Sequence, residues 1–187
     1  PTSTPFPSPT RFRSLRELAS AVAIPDRLVG LHFFNPVPRM KLVEVVRAHC
    51  TSPATLATAV QFVQRIGKLP VVVSDRPGFL VNRILLPYLL QAGFLFERGG
   101  DPVAIDRSML DFGMPMGPLR LLDEVGLDVA LHVAKTLSQA FPNRMAIPLL
   151  MERVVRKGFL GVKSGAGFYP YDARGPAPNP VAPALHG

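Results

Sequence analysis

The stretch Leu28–Arg47, LVGLHFFNPVPRMKLVEVVR, decides how the first part of this chain folds. Leu28 to Phe34 reads as a buried strand, and Leu42 to Arg47 as a second one. Between them Pro36 and Pro38 deny the backbone a ladder partner and favour a turn. If the chain folds back around Pro38, His32 and Glu44 lie equally far from the pivot on either side. They then face each other across the two strands, with Cβ atoms roughly 5 Å apart. A carboxylate beside an imidazole fixes its tautomer and stabilises its protonated form, which suits the ring to general-base work. A satisfied core histidine beside an exposed edge-strand glutamate fits the same spacing, so at this point both readings stand.

The rest of the composition narrows the classes. A chain of 187 residues, 48% of them hydrophobic, is globular and long enough for one good core or two small lobes. The longest apolar run, residues 79–96, is interrupted by Asn82, Arg83 and Gln91, so no membrane span is expected. Cys50 is the single cysteine, which excludes an internal disulfide and fits a reducing compartment. His32, His49, His132 and His186 lack metal-ligand spacing, and no metal is expected. The net charge is +8, but the basic residues are scattered without runs or interleaved aromatics. Small phosphate-rich ligands account for that excess at least as well as nucleic acid, which is not expected as a partner.

The order of elements divides the chain. Residues 1–13, with four prolines and no acids, read as a disordered lead-in. Residues 14–75 read as an α/β layer: a short helix from Ser14 to Val22, the two strands, a helix opened by Thr51-Ser52-Pro53 and running to Ile66, and a strand over 69–73. Residues 76–171 read as all-helical, with helices over 79–98 (kinked at Pro87), 101–112, 119–140 and 146–157 before KSGAGFYPY returns along the surface. Residues 172–187 form a Pro-rich tail expected to be loose.

Further candidates lie in the helical part. Asn82 is an amide one turn into an apolar helix, so it either caps local backbone or faces a polar ligand. Lys163, beside Ser164-Gly165-Ala166-Gly167, offers a cation to a phosphate or carbonyl, or is an ordinary exposed lysine. Glu97, Asp106, Asp123, Glu124 and Asp128 read as solvated or capping residues. The sequence has no G-x-G-x-x-G, no P-loop and no G-x-S-x-G.

Four ordered blocks carry a family resemblance. They are Gly30–Val46 (GLHFFNPVPRMKLVEVV), Val71–Leu85 (VVVSDRPGFLVNRIL), Gly113–Asp128 (GMPMGPLRLLDEVGLD) and Lys163–Tyr169. Over about residues 14–171 the chain resembles the later part of the 3-hydroxyacyl-CoA dehydrogenases of fatty acid β-oxidation, multifunctional α subunits included. The resemblance implies the remnant of a Rossmann-like NAD-binding α/β domain (14–75) followed by an all-α domain (76–171) like the C-terminal domain of 6-phosphogluconate dehydrogenase. It implies oxidation of L-3-hydroxyacyl-CoA to 3-ketoacyl-CoA with NAD. His32 then matches the catalytic histidine and Glu44 its acidic partner. Asn82 matches a substrate-binding asparagine, while Asn35 and Lys163 match cofactor-binding positions. A homodimer through the helical domain follows, in the bacterial cytoplasm or, in a eukaryote, the mitochondrial matrix. The family's glycine-rich half has no counterpart here, and its Ser-containing segment falls near Arg11-Phe12, where no serine stands. The chain is therefore expected to be a truncated dehydrogenase, inactive by itself; the alternative is a non-catalytic helical module for dimerisation or acyl-CoA binding.

Overall fold

The protein, seen in a computed structural model, is described at residues 15–172 and 175–176. The expected lead-in and nearly all of the expected tail lie outside those residues. The described chain forms an α/β unit and a helical unit, divided between Leu80 and Val81.

The α/β unit contains α1 (Leu15–Ala19), β1 (Gly30–Phe33), β2 (Leu42–Arg47), α2 (Pro53–Arg65) and β3 (Leu69–Ser74). Its sheet has the order β1-β2-β3, with β1 antiparallel to β2 and β3 parallel to it. The hairpin between β1 and β2 turns over Pro36–Met40, where Arg39 and Met40 both donate to the Pro36 carbonyl. The Lys68 ammonium holds the same turn through the carbonyls of Val37 and Met40. Alternation along β2 sorts its side chains: Val43 and Val45 pack with Ala59 and Val63 of α2, while Glu44 and Val46 are buried on the opposite face. Ser52 caps α2 by accepting from the Thr55 N–H at 3.2 Å, with Pro53 in the first turn as the sequence predicts.

The helical unit contains α3 (Val81–Glu97), α4 (Pro102–Phe112), α5 (Pro118–Val125), α6 (Leu127–Ala140) and α7 (Leu149–Arg156), followed by a short hairpin of β4 (Tyr171–Asp172) and β5 (Gly175–Pro176). Leu90, Phe96, Leu119, Leu122, Leu127, Leu137, Met151 and Phe168 lie within one continuous core.

Three expectations need correction. The helix predicted over 119–140 is two helices, because Gly126 takes φ 97° and ψ 124°, and the N–H of Leu127 goes to the Leu160 carbonyl instead of back up a helix. The helix predicted from 79 begins at Val81, since Pro77–Leu80 form a turn of their own. Asp123, read as solvated or capping, is neither, being buried and bonded to the segment that follows α7, whereas Asp106, also buried, does cap a helix.

Candidate active site

The ladder of β1 and β2 places His32 opposite Glu44. His32 Nδ1 donates to Glu44 Oε2 at 2.7 Å, and Glu44 Oε1 accepts from the backbone N–H of Leu80 at 2.9 Å. Glu44 is 0% exposed, whereas the His32 side chain keeps 35% of its surface. A buried carboxylate must find donors, and these two N–H groups supply them on separate oxygens. With Nδ1 committed to Glu44, the ring is held as the Nδ1–H tautomer. Nε2, on the other edge, has no protein partner among the described residues and keeps its lone pair for an incoming proton.

Two phenyl rings flank the imidazole. Phe34 meets it edge-on at 4.8 Å between centroids, and Phe79 lies tilted against it at 5.5 Å. Phe79 itself has φ +44°, the single positive value at a non-glycine residue among those described. The helix expected from 79 leaves no room for this turn; Pro77-Gly78 is a general turn signal but does not specify a left-handed residue at 79.

The other predicted residues are distributed as follows. Asn35 leaves the end of β1 exposed, just ahead of a cis bond to Pro36. Asn82 lies in the first turn of α3, half-buried, and its amide makes no hydrogen bond among the described residues, so it is not a backbone cap. Lys163, in a 3-10 turn over Val162–Ser164, forms an ion pair with Asp128 of α6. Asn35 therefore joins His32 and Glu44 in the α/β unit, while Asn82 and Lys163 belong to the helical one.

The buried carboxylates of the helical unit hold structure together. Asp106 accepts from the N–H groups of Leu119 and Arg120 at 2.8 and 3.0 Å, capping α5, whose own N-cap is Gly117. Asp123 accepts from the N–H groups of Phe168 and Tyr169, both at 3.0 Å, and from the Tyr171 hydroxyl at 2.6 Å. Gly117 and Gly167 make this possible, since a Cβ at either position would fall inside the adjoining carboxylate. Burial pushes the Asp123 carboxyl up to about 6, against the pull of its three donors and the charge of Arg120. Burial likewise raises Asp106, Tyr169 and Tyr171. Glu97 caps α7 through the N–H of Leu150 at 2.7 Å. Among the described residues no group of three or more His, Cys, Asp or Glu is placed to hold a metal, and no helix is long and apolar enough to cross a membrane.

A buried acid bonded to a partly exposed histidine across a β-hairpin is an arrangement suited to acid–base chemistry. The sequence profile of the 3-hydroxyacyl-CoA dehydrogenase NAD-binding domain matches residues 2–76, and that of the C-terminal domain matches residues 78–171. The chain belongs to the 3-hydroxyacyl-CoA dehydrogenase family. It is 46% identical over 166 residues to a fatty acid oxidation complex subunit alpha of Psychrobacter sp. (strain PRwf-1), covering 87% of this chain and 23% of that protein. Thus the chain spans about a quarter of the length of that relative. Among solved structures it is similar to FadB2 of M. tuberculosis, with a TM-score of 0.82 at 42% identity, covering 86% of this chain and 57% of the other. The (S)-3-hydroxybutyryl-CoA dehydrogenase of Ralstonia eutropha gives a TM-score of 0.82 at 40% identity, with 86% and 58% covered.

Proposed function

We propose that this chain carries the acid–base half of an NAD-dependent oxidation of L-3-hydroxyacyl-CoA to 3-ketoacyl-CoA. The observation that carries the reading is the His32–Glu44 pair, with one nitrogen bonded inward to a fully buried carboxylate and the other unpartnered. His32 Nε2 takes the proton of the substrate's 3-hydroxyl as the C3–H bond gives up its hydride. Glu44 fixes the tautomer and balances the imidazolium that forms. Asn82, whose amide lacks a protein partner, binds the substrate's carbonyl oxygen.

The residues present fit the nicotinamide end of NAD: an imidazole with a free edge and, three residues on, the exposed amide of Asn35. Bound there, NAD supplies the hydride acceptor. Lys163 would meet the cofactor with an ammonium whose ion pair to Asp128 engages one of its three N–H donors. No G-x-G-x-x-G is present in the 187 residues to hold the diphosphate. The 187-residue chain assayed by itself is accordingly expected to turn over little.

A second reading, self-association through the helical unit, is favoured by large apolar side chains left in solvent: Ile84, Leu95, Phe112 and Leu149, with Phe112 79% exposed. A homodimer covers them, and sedimentation equilibrium decides. The bacterial origin of the curated relative named above supports the cytoplasm as the setting.

The decisive experiment joins the glycine-rich half of a relative to this chain and follows NADH formation from an L-3-hydroxyacyl-CoA. Substituting His32→Gln should reduce turnover by at least about a hundred-fold, the scale of general-base catalysis. Unchanged turnover removes the assignment. Calorimetric titration with acetoacetyl-CoA and with NAD separates the alternatives, since ester binding without NAD binding supports a non-catalytic module.

A further inference from the structure

The turn Pro77–Leu80 is bonded to the proposed acid–base pair at two points. Its last N–H, from Leu80, donates to Glu44 Oε1 at 2.9 Å, and the ring of Phe79 lies 5.5 Å from the imidazole. Between these contacts the backbone at Phe79 adopts φ +44°, a conformation that a bulky L-residue takes only when its surroundings enforce it. Gly78, at φ +72°, precedes it, so two consecutive residues are wound into the left-handed region. The sequence offers a cheaper solution, a second glycine, and the chain has a phenylalanine instead.

We propose that Phe79 and the N–H of Leu80 form a positioning device that selects the tautomer and orientation of His32; this deepens the reading of His32 as the base. The left-handed turn aims the Leu80 N–H at Oε1, which leaves Oε2 as the acceptor for Nδ1. Without that donor, Oε1 would lose a partner and compete with Oε2 for the Nδ1–H, and the imidazole would lose its fixed line of approach. Phe79 then works with Phe34 to bracket the ring. An imidazole can flip about its Cβ–Cγ bond, which puts Cδ2 in place of Nδ1 at the carboxylate; Nδ1 then loses its acceptor and nothing holds the proton on it. Rings in contact with it, at 4.8 and 5.5 Å between centroids, obstruct that flip. The turn ahead of α3 thus adds two contacts to the pair at His32 and Glu44.

The test needs no turnover. In the 187-residue chain, nitrogen-15 NMR of the neutral His32 ring reports which nitrogen carries the proton. Wild type should show one set of shifts, that of the Nδ1–H form, and Phe79→Tyr should reproduce it because the flanking ring is kept. Phe79→Ala should move both nitrogens toward averaged shifts, with the minor Nε2–H form rising several-fold. Wild-type shifts in a folded Phe79→Ala chain overturn the role of the ring. If that variant does not fold, hydrogen exchange at the Leu80 amide decides for the other contact. That amide should exchange at least about ten-fold faster in Glu44→Met, which keeps the length but offers no oxygen, than in wild type, and equal rates sink the proposal. Failure of His32→Gln to slow oxidation would remove the catalytic reading and leave these shifts and rates as they are, so the two failures are told apart.

Discussion

Tyr171 donates its hydroxyl to Asp123 at 2.6 Å, joining the returning segment of the helical unit to α5 across 48 residues of sequence. The carboxylate that receives it is 1% exposed. Its position makes the pH dependence of stability predictable in sign.

Asp123 ionises in the folded state near 6, above its ordinary 3.8. The native state therefore binds more protons than the unfolded one between those values. The contribution is fully present below the unfolded value of 3.8 and is lost as the pH rises through about 6, by on the order of 3 kcal/mol in all. Asp123→Asn carries no such titration. Urea denaturation of both chains from pH 4 to 7 should show the variant gaining on wild type as pH rises. A difference that stays constant over that range would show that Asp123 does not titrate there. Asp128, held low by hydrogen bonding to Lys163, acts in the opposite direction at lower pH, which is why the comparison must be with the variant.

Glu44→Ala should be among the costliest single changes in the α/β unit. It leaves the Nδ1 of His32 and the N–H of Leu80 without their acceptor at a position with no exposed surface. The expected loss is roughly 2–4 kcal/mol in chemical denaturation. Glu44→Gln keeps the volume and one acceptor oxygen but turns an NH2 toward the remaining donor. About half that loss is expected, with the proposed oxidation still reduced.

Phe79→Gly and Phe79→Ala both remove the flanking ring, yet they should differ in stability in an unusual direction. At φ +44° a glycine is unstrained and an alanine is not. The glycine variant should be the more stable of the two by about 1 kcal/mol in thermal or urea unfolding. The reverse order would mean that the turn relaxes to an ordinary conformation once the ring is gone.

Gly167→Ala places a methyl group where the Asp123 carboxylate now lies. Neither partner can yield cheaply, since Asp123 is held by three donors and the backbone at 167 is flanked by the buried Phe168 and Tyr169. A loss of roughly 2–4 kcal/mol is expected, typical of severe overpacking in a core. Combined with Asp123→Ala the cost should be strongly non-additive, because the second change vacates the space that the first needs.

The hairpin and its register were legible in sequence because local patterns decide them: alternation in Leu42–Arg47, a proline turn, and equal spacing of His32 and Glu44 about Pro38. The caps of α2 and α4, at Ser52 and Asp101, were legible for the same local reason. The break at Gly126 was not, since glycine inside a helical pattern is usually tolerated and only a bond to Leu160, far along the chain, reveals the interruption. The burial of Asp106 and Asp123 was hidden likewise, because their donors come from other segments. At the site, the imidazole–carboxylate pair was readable, while the left-handed turn beside it was not. Backbone conformation at Phe79 depends on contacts with β1 and β2 that no neighbouring residue encodes.

The N–H that secures Glu44 comes from Leu80, the last residue of the sheet-bearing unit, with α3 starting at the very next position. Anyone building chimeras from members of this family, or expressing the helices separately, therefore has a splice point to respect. A junction placed ahead of Pro77 would replace that donor along with the helices, whereas one placed after Leu80 would keep it.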